Sequence, residues 1–388
     1  MTTTLIHAGR ALTPTEEISD AGILIREGVI DAIGPRSGMS LPAGATEIPA
    51  LDKAAVPGFI DIHIHGAGGR DVMEGDGDAL AVVTRKVAEF GTTSLLATTV
   101  TAAPDATIRA TAGISLYITQ QHAAKESRAE VLGIHFEGPF ISKERRGVHP
   151  VEWIQPPSAD LFNRFLEAAG GNARLITIAP EVLGAAPCIE VARKAGLVVS
   201  VGHTDADYEQ TRFAIAHGAR SATHIYNAMR PFTHRDPGVI GAVLTSPEIN
   251  AELIADGVHV EEGAMKLLLK AKGYERVTLV SDGLSATGMP DGKYMLGGLE
   301  VTVTNGVCRN AAGVLAGSTL TLDRALRNIV NLGVSLPQAV RMLTLNPASL
   351  LGIEYEKGTL RVGADADILL LDEGLQVKDV WARGCALN

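Results

Sequence analysis

Short apolar runs alternate with helix-like stretches through the middle of this 388-residue chain. Eight runs stand out: "GFIDIHIH", "TTSLLATTV", "VLGIHFEG", "RLITIAP", "LVVSVGH", "SATHIYN", "AELIADG" and "VTLVSDG". Between most of them the pattern turns helical. In "SADLFNRFLEAAG" Ser158 is placed to cap a helix, and "AAPCIEVARKAG" stops at Gly196 as a C-cap. Strand–helix alternation repeated about eight times over roughly 300 residues predicts an α/β fold, a parallel (β/α)8 barrel of TIM type, in preference to a doubly wound open sheet.

The two ends follow a different pattern. "AGILIREGVIDAIGP" gives strand, Glu27-Gly28 turn, strand, and "EKGTLRVGADADILLLDEGLQVKDVWARG" repeats short strands punctuated by glycine. Residues 1–55 and 355–388 are expected to pair as one small, discontinuous β-sandwich domain around a barrel domain spanning 56–354. A hairpin, "GMPDGKYMLGGLEVTVTNGVCRNAAGVLAGS", is expected between barrel elements, followed by the helices "TLDRALRNIVNLG" and "SLPQAVRMLTLNPASLLG".

Composition changes this picture little. With 46% hydrophobic and 20% charged residues the chain is an ordinary globular protein. A formal net charge of −10 without a basic cluster argues against a nucleic-acid partner, so an anionic substrate would need a local cationic pocket. The start has no basic segment followed by an apolar core, and no apolar run approaches the ~20 residues that span a bilayer. Cys188, Cys308 and Cys385 show no pairing pattern. Reduced thiols in a cytoplasmic protein, with no membrane partner, are the expectation.

The chemistry lies where the apolar runs stop, because barrels of this class build their sites at the C-terminal ends of the strands. In a strand, residues two apart share a face, so Asp61, His63 and His65 point together and Ile60, Ile62 and Ile64 point oppositely. Run one ends in His63 and His65, run three in Glu137, run five in His203, run six in His224 and run eight in Asp282. Imidazole and carboxylate suit zinc and ferrous iron. Five candidate ligands and one candidate base converge on one mouth. Loops after strands three, six and seven add His149, Asn227, Arg235 and His259, which together would form an electropositive pocket able to hold phosphate. His7, His122, His135, His217 and His234 are read as structural or exposed, His135 least securely because it shares a strand face with Glu137.

The motifs "PGFIDIHIHG", "GIHFEGPFIS", "GVHP", "VGHTDA", "THIYNAM", "ADGVHV", "SDGLSATG" and "LAGSTLTL" resemble, in order, the N-acetylglucosamine-6-phosphate deacetylases of the amidohydrolase superfamily. "KGTLRVGADADILLLD" resembles that superfamily's returning β-domain. The resemblance implies Glu137, His203 and His224 as main metal ligands, with His63 and His65 at a second-metal site that some members have. It implies Asp282 as general base and acid, and Val148 and His149 as substrate contacts, His149 beside the acetyl carbonyl. Asn227, Ala228, Arg235 and His259 correspond to sugar-phosphate contacts, the arginine coming from a neighbouring subunit of a homodimer, and Leu315, Ala316 and Gly317 to a main-chain contact region. Strand four offers no lysine for a carbamate bridge; Glu137 would replace it.

The expected reaction is hydrolysis of the acetamide of an N-acetyl amino sugar 6-phosphate, with one or two divalent ions, zinc or iron, as cofactor. The alternatives are the galacto epimer as substrate, an amidohydrolase acting on a different amide, and a non-catalytic barrel. The phosphate-binding residues argue against the second and the complete ligand set against the third.

Overall fold

A computed structural model describes residues 3–121 and 127–387; His122 lies outside them. All eight apolar runs become parallel strands of one sheet: Phe59–Ile64, Thr92–Thr99, Glu130–Glu137, Ala173–Ile178, Val198–Val201, Ala219–Ala222, Asn250–Leu253 and Val277–Leu279, neighbours in that order. The eighth is only three residues long, and the ring closes through backbone bonds beyond it. His65 N–H and Gly66 N–H both donate to the Gly283 carbonyl, and Asp282 N–H donates to the His63 carbonyl at 2.9 Å. Asp61 is fully buried at this seam, where its carboxylate accepts the backbone N–H of His63 at 3.2 Å and of Ser281 at 3.3 Å. Its side chain joins strands one and eight, which places it beneath the His63–His65 pair.

Helices cover the strands as the capping residues dictate. Ser158 accepts the Leu161 N–H at the start of helix Ala159–Ala169. Helix Ala185–Lys194 ends one residue earlier than expected, with Ala195 as its cap and Gly196 in the left-handed conformation after it. The single helix expected over 335–352 is two, Leu336–Leu343 and Leu345–Leu351. Pro347 explains the break: it brings no N–H and its ring clashes with the carbonyl of Leu343, four residues back. The expected hairpin is a three-stranded sheet, Gly292–Leu296, Leu299–Thr304 and Val307–Asn310, packed through Leu296, Val301 and Val303 against Val100 and Leu284. Among the described residues no helix is long and apolar enough to cross a membrane.

Strands from both ends form one seven-stranded sheet. Strand Thr46–Pro57 is parallel to Thr3–Leu12 on one side and antiparallel to Ile368–Leu371 on the other. Its apolar cluster includes Ile6, Ile23, Ile368 and Trp381.

One buried cation ties the C-terminal segment to the barrel. Lys357, 5% exposed, lies 2.8 Å from Glu130, 2.6 Å from Asp365 and 2.9 Å from Asp367. Glu130 opens the third barrel strand, the one that ends in Glu137. Replacing Lys357 by Met leaves three carboxylates facing one another without their cation. Breaking a buried pair from one side costs about 3–5 kcal/mol, so K357M is expected to melt well below the parent in thermal unfolding. An unchanged midpoint would remove Lys357 as the staple.

Candidate active site

The strand ends bring Glu137, His203 and His224 together, with His63, His65 and Asp282 beside them, all buried. His203 Nε2 and His224 Nε2 each lie 3.1 Å from Glu137 Oε1 and 3.1 Å from each other. His63 Nε2 and His65 Nε2 are 3.3 Å apart, and His65 Nε2 is 3.2 Å from both Asp282 Oδ1 and Glu137 Oε2. Glu137 therefore faces both groups, its Oε1 near His203, His224 and His63 and its Oε2 near His65.

The rings are aimed from behind. His65 Nδ1–H donates to the Thr98 carbonyl at 2.9 Å and His203 Nδ1–H to the Arg145 carbonyl at 2.9 Å. A carbonyl can only accept, so each of these rings, when neutral, presents the lone pair of its Nε2 to the centre. Glu252 does the same for His63: its Oε2 is 3.0 Å from Nδ1 and also accepts the His224 N–H at 3.3 Å. Converging lone pairs repel unless a cation lies between them. Separations of 3.1–3.3 Å approach the ~3.4 Å edge of a tetrahedron with ~2.1 Å bonds, so this donor set suits a divalent ion such as zinc. His224 Nδ1 alone has no partner among the described residues.

The backbone is bent to achieve this. His203 (φ 46°), His224 (φ 29°) and Asp282 (φ 49°) all occupy the left-handed region, as do Tyr226 and Ala228. Each such residue stores about 1 kcal/mol or more, a cost that clusters at functional sites.

Burial pushes the Asp282 carboxyl up, but the hydrogen bond from His65 and the charges that His63 and His65 carry when protonated outweigh that and hold it down to about 2. It is therefore ionised at neutral pH. His149 Nδ1 accepts the Thr101 N–H at 3.2 Å, so the ring carries its proton on Nε2, which lies 3.5 Å from Glu137 Oε2. Burial, and then the neighbouring His203, push its pKa to about 4. His149 is thus a neutral N–H donor beside the cluster.

A cavity of about 210 Å³ opens over these groups. Val148, His149, Asn227, Ala228, His259, Leu315 and Gly317 line it. Ala316 turns instead into the apolar cluster of the three-stranded sheet. Arg235 is exposed on the loop after strand six and lines no part of the cavity. His259 is held by Asp256, which takes its Nδ1–H at 2.7 Å and the backbone N–H groups of Val258 and His259 at 2.8 Å. Burial lowers the His259 pKa, but the Asp256 carboxylate outweighs it and raises the value above the ordinary range.

The other histidines lie away from the cluster's centre. His135, fully buried, is clamped between the hydroxyls of Thr98 at 3.3 Å and Thr177 at 2.8 Å, and burial holds it well below the usual histidine pKa. It edges His63 without offering a free nitrogen. His7 pairs with Glu47, His217 Nδ1–H donates to the Phe213 carbonyl, and His234 is exposed. Glu252 and Asp256 escaped the sequence reading. The available signal for Glu252 was a carboxylate inside the apolar run "AELIADG".

Residues 54–386 match the amidohydrolase family. The chain belongs to the amidohydrolase family. This amidohydrolase is 38% identical over 384 residues to an N-acetylglucosamine-6-phosphate deacetylase of Vibrio furnissii, covering 97% of this chain and 93% of that one. It is 38% identical to an N-acetylgalactosamine-6-phosphate deacetylase of Escherichia coli O157:H7, covering 98% of each. Its fold superposes with a TM-score of 0.92, at 36% identity and full coverage of both chains, on a variant of the Mycobacterium smegmatis N-acetyl-D-glucosamine-6-phosphate deacetylase in complex with N-acetyl-D-glucosamine-6-phosphate.

Glu252 supplies a separable test of the two ligand groups in this amidohydrolase. E252Q removes the charge behind His63 while keeping the shape. Loss of such an outer partner weakens metal binding about 10–100-fold. Elemental analysis of dialysed E252Q should show reduced metal attributable to the His63–His65–Asp282 group, with the Glu137–His203–His224 group retained. Metal content equal to the parent would show that Glu252 does not support metal binding.

Proposed function

We propose that this chain hydrolyses N-acetyl-D-glucosamine 6-phosphate to D-glucosamine 6-phosphate and acetate. The observation that carries this reading is Asp282 and a His149 bearing its N–H on Nε2 sharing one cavity with the Glu137–His203–His224 group.

Glu137, His203 and His224 would hold one divalent ion, zinc or iron, and His63, His65 and Asp282 a second. Bound there, such an ion supplies Lewis acidity and brings the pKa of a water toward ~7. Asp282 takes the proton of the attacking water as its oxygen bonds to the acetyl carbon. His149 Nε2–H donates to the carbonyl oxygen as it becomes an oxyanion, a contact typically worth about 3–4 kcal/mol. Asp282 then returns the proton to the sugar nitrogen as the C–N bond breaks, releasing acetate and the amine. Asn227, the Ala228 main chain and His259 position the sugar phosphate. The raised His259 pKa favours a positive charge near that phosphate. Because Arg235 is exposed and outside its own cavity, it serves the neighbouring site of a homodimer. Three free cysteines, two of them buried, fit a reducing cytoplasm and a place in amino-sugar metabolism.

D282N should retain substrate binding and the ion held by Glu137, His203 and His224 while kcat falls by orders of magnitude; near-parent turnover would remove Asp282 from proton transfer. R235A should chiefly raise KM for the phosphorylated substrate, and an unchanged KM would put the phosphate elsewhere. The reaction itself is tested by acetate release from metal-replete protein offered N-acetylglucosamine 6-phosphate, its galacto epimer and unphosphorylated N-acetylglucosamine. Preference for the first supports the reading. Preference for the epimer keeps the mechanism and changes the substrate. Failure to release acetate from any of the three overturns it.

A further inference from the structure

A second polar cavity, of about 370 Å³, lies at the opposite end of the barrel, where the strands begin. Asn250 opens strand seven, Arg220 lies in strand six, Arg276 immediately precedes strand eight, and Arg341 comes from helix Leu336–Leu343. Asn250 is 4% exposed. Its carbonyl accepts the Thr278 hydroxyl at 3.2 Å, which fixes the amide and leaves Nδ2 without a partner among the described residues. Arg341 Nε is also buried and has no partner among the described residues, and its Nη2 lies 3.6 Å from the exposed Glu275. Buried donors left this way cost free energy, so each calls for an acceptor.

Charge favours an anion as that acceptor. The three guanidinium groups face two carboxylates, Glu248 and Glu275, both exposed and able to turn to water. Lys272 stands nearby and adds positive charge; burial, and then the Arg276 charge, push its ammonium down to about 8. Arg220 spends Nη1 on the carbonyls of Ile215 and Ala219, leaving the rest of its fork available. A planar fork with a fixed donor angle matches phosphate oxygens in pairs.

We propose that this cavity binds a small phosphate-bearing anion, held by Arg341 and Arg276 with Asn250 Nδ2 as the buried donor. The site is separate from the strand-end cavity, sharing no residue with it. Its volume exceeds that of inorganic phosphate and leaves room for a sugar-sized body.

Equilibrium dialysis with inorganic phosphate tests this on the parent, R341Q and R276E. The parent is expected to hold one more phosphate per chain than either variant, or to hold it at least about tenfold more tightly. Arg276 is exposed, so R276E keeps the test valid if R341Q folds poorly, and melting without phosphate verifies each fold. Repeating the titration with glucose 6-phosphate separates the sources. Tighter binding than inorganic phosphate assigns the site to a phosphorylated metabolite, and equal binding assigns it to free phosphate. The same number and affinity in parent and both variants would overturn the site.

Discussion

Four buried imidazole Nε2 atoms lie within 3.1–3.4 Å of the Glu137 carboxylate. Neutral rings in that arrangement oppose lone pair to lone pair, and a buried carboxylate without positive charge is costly. A cation resolves both problems together. The fold can therefore be understood as the scaffold that makes this convergence tolerable. Strands one, three, five, six and eight each deliver one or two donors, and carbonyls or a carboxylate behind three of the rings decide which nitrogen faces inward.

Positioning so many groups requires local strain and a rigid frame to carry it. Three site residues adopt left-handed backbone just beyond their strands, where the chain must turn the side chain over the barrel axis. The frame is the closed ring: Asp61 and the Gly283 carbonyl seal strands one and eight directly below His63 and His65. Strand three is held at both ends by charge, Glu130 to Lys357 at its start and Glu137 to the histidines at its end. The terminal segment thus fixes the strand that carries the central ligand. The three-stranded insertion contributes Leu296 and Leu299 to the cavity wall and gives it an apolar side.

Much of this was legible in the chain. Each barrel strand overlaps one of the eight apolar runs, because a parallel strand buried on both faces is apolar almost throughout, and strand six, Ala219–Ala222, overlaps least because it carries an exposed Arg220. The five ligand candidates were legible for a related reason: a histidine or carboxylate ending such a run has few inexpensive alternatives. Ser158 was readable because a cap is a local device. The helix break at Thr344 was missed although Pro347 signalled it, since the apolar periodicity runs through the break.

By itself, then, the sequence determined the barrel, the pairing of its two ends and the identity of the groups at the strand ends, all through patterns spanning a few residues. Only the tertiary structure decided which of those groups meet. It turned Glu137 toward both clusters, clamped His135 between two threonines that lie 37 and 42 positions away, and left Arg235 outside its own cavity. It also recruited Glu252, 189 positions from the ring it orients. Hydrogen bonds of that kind depend on the closure of the ring, which brings distant strand ends within 3 Å of one another and which no local pattern encodes.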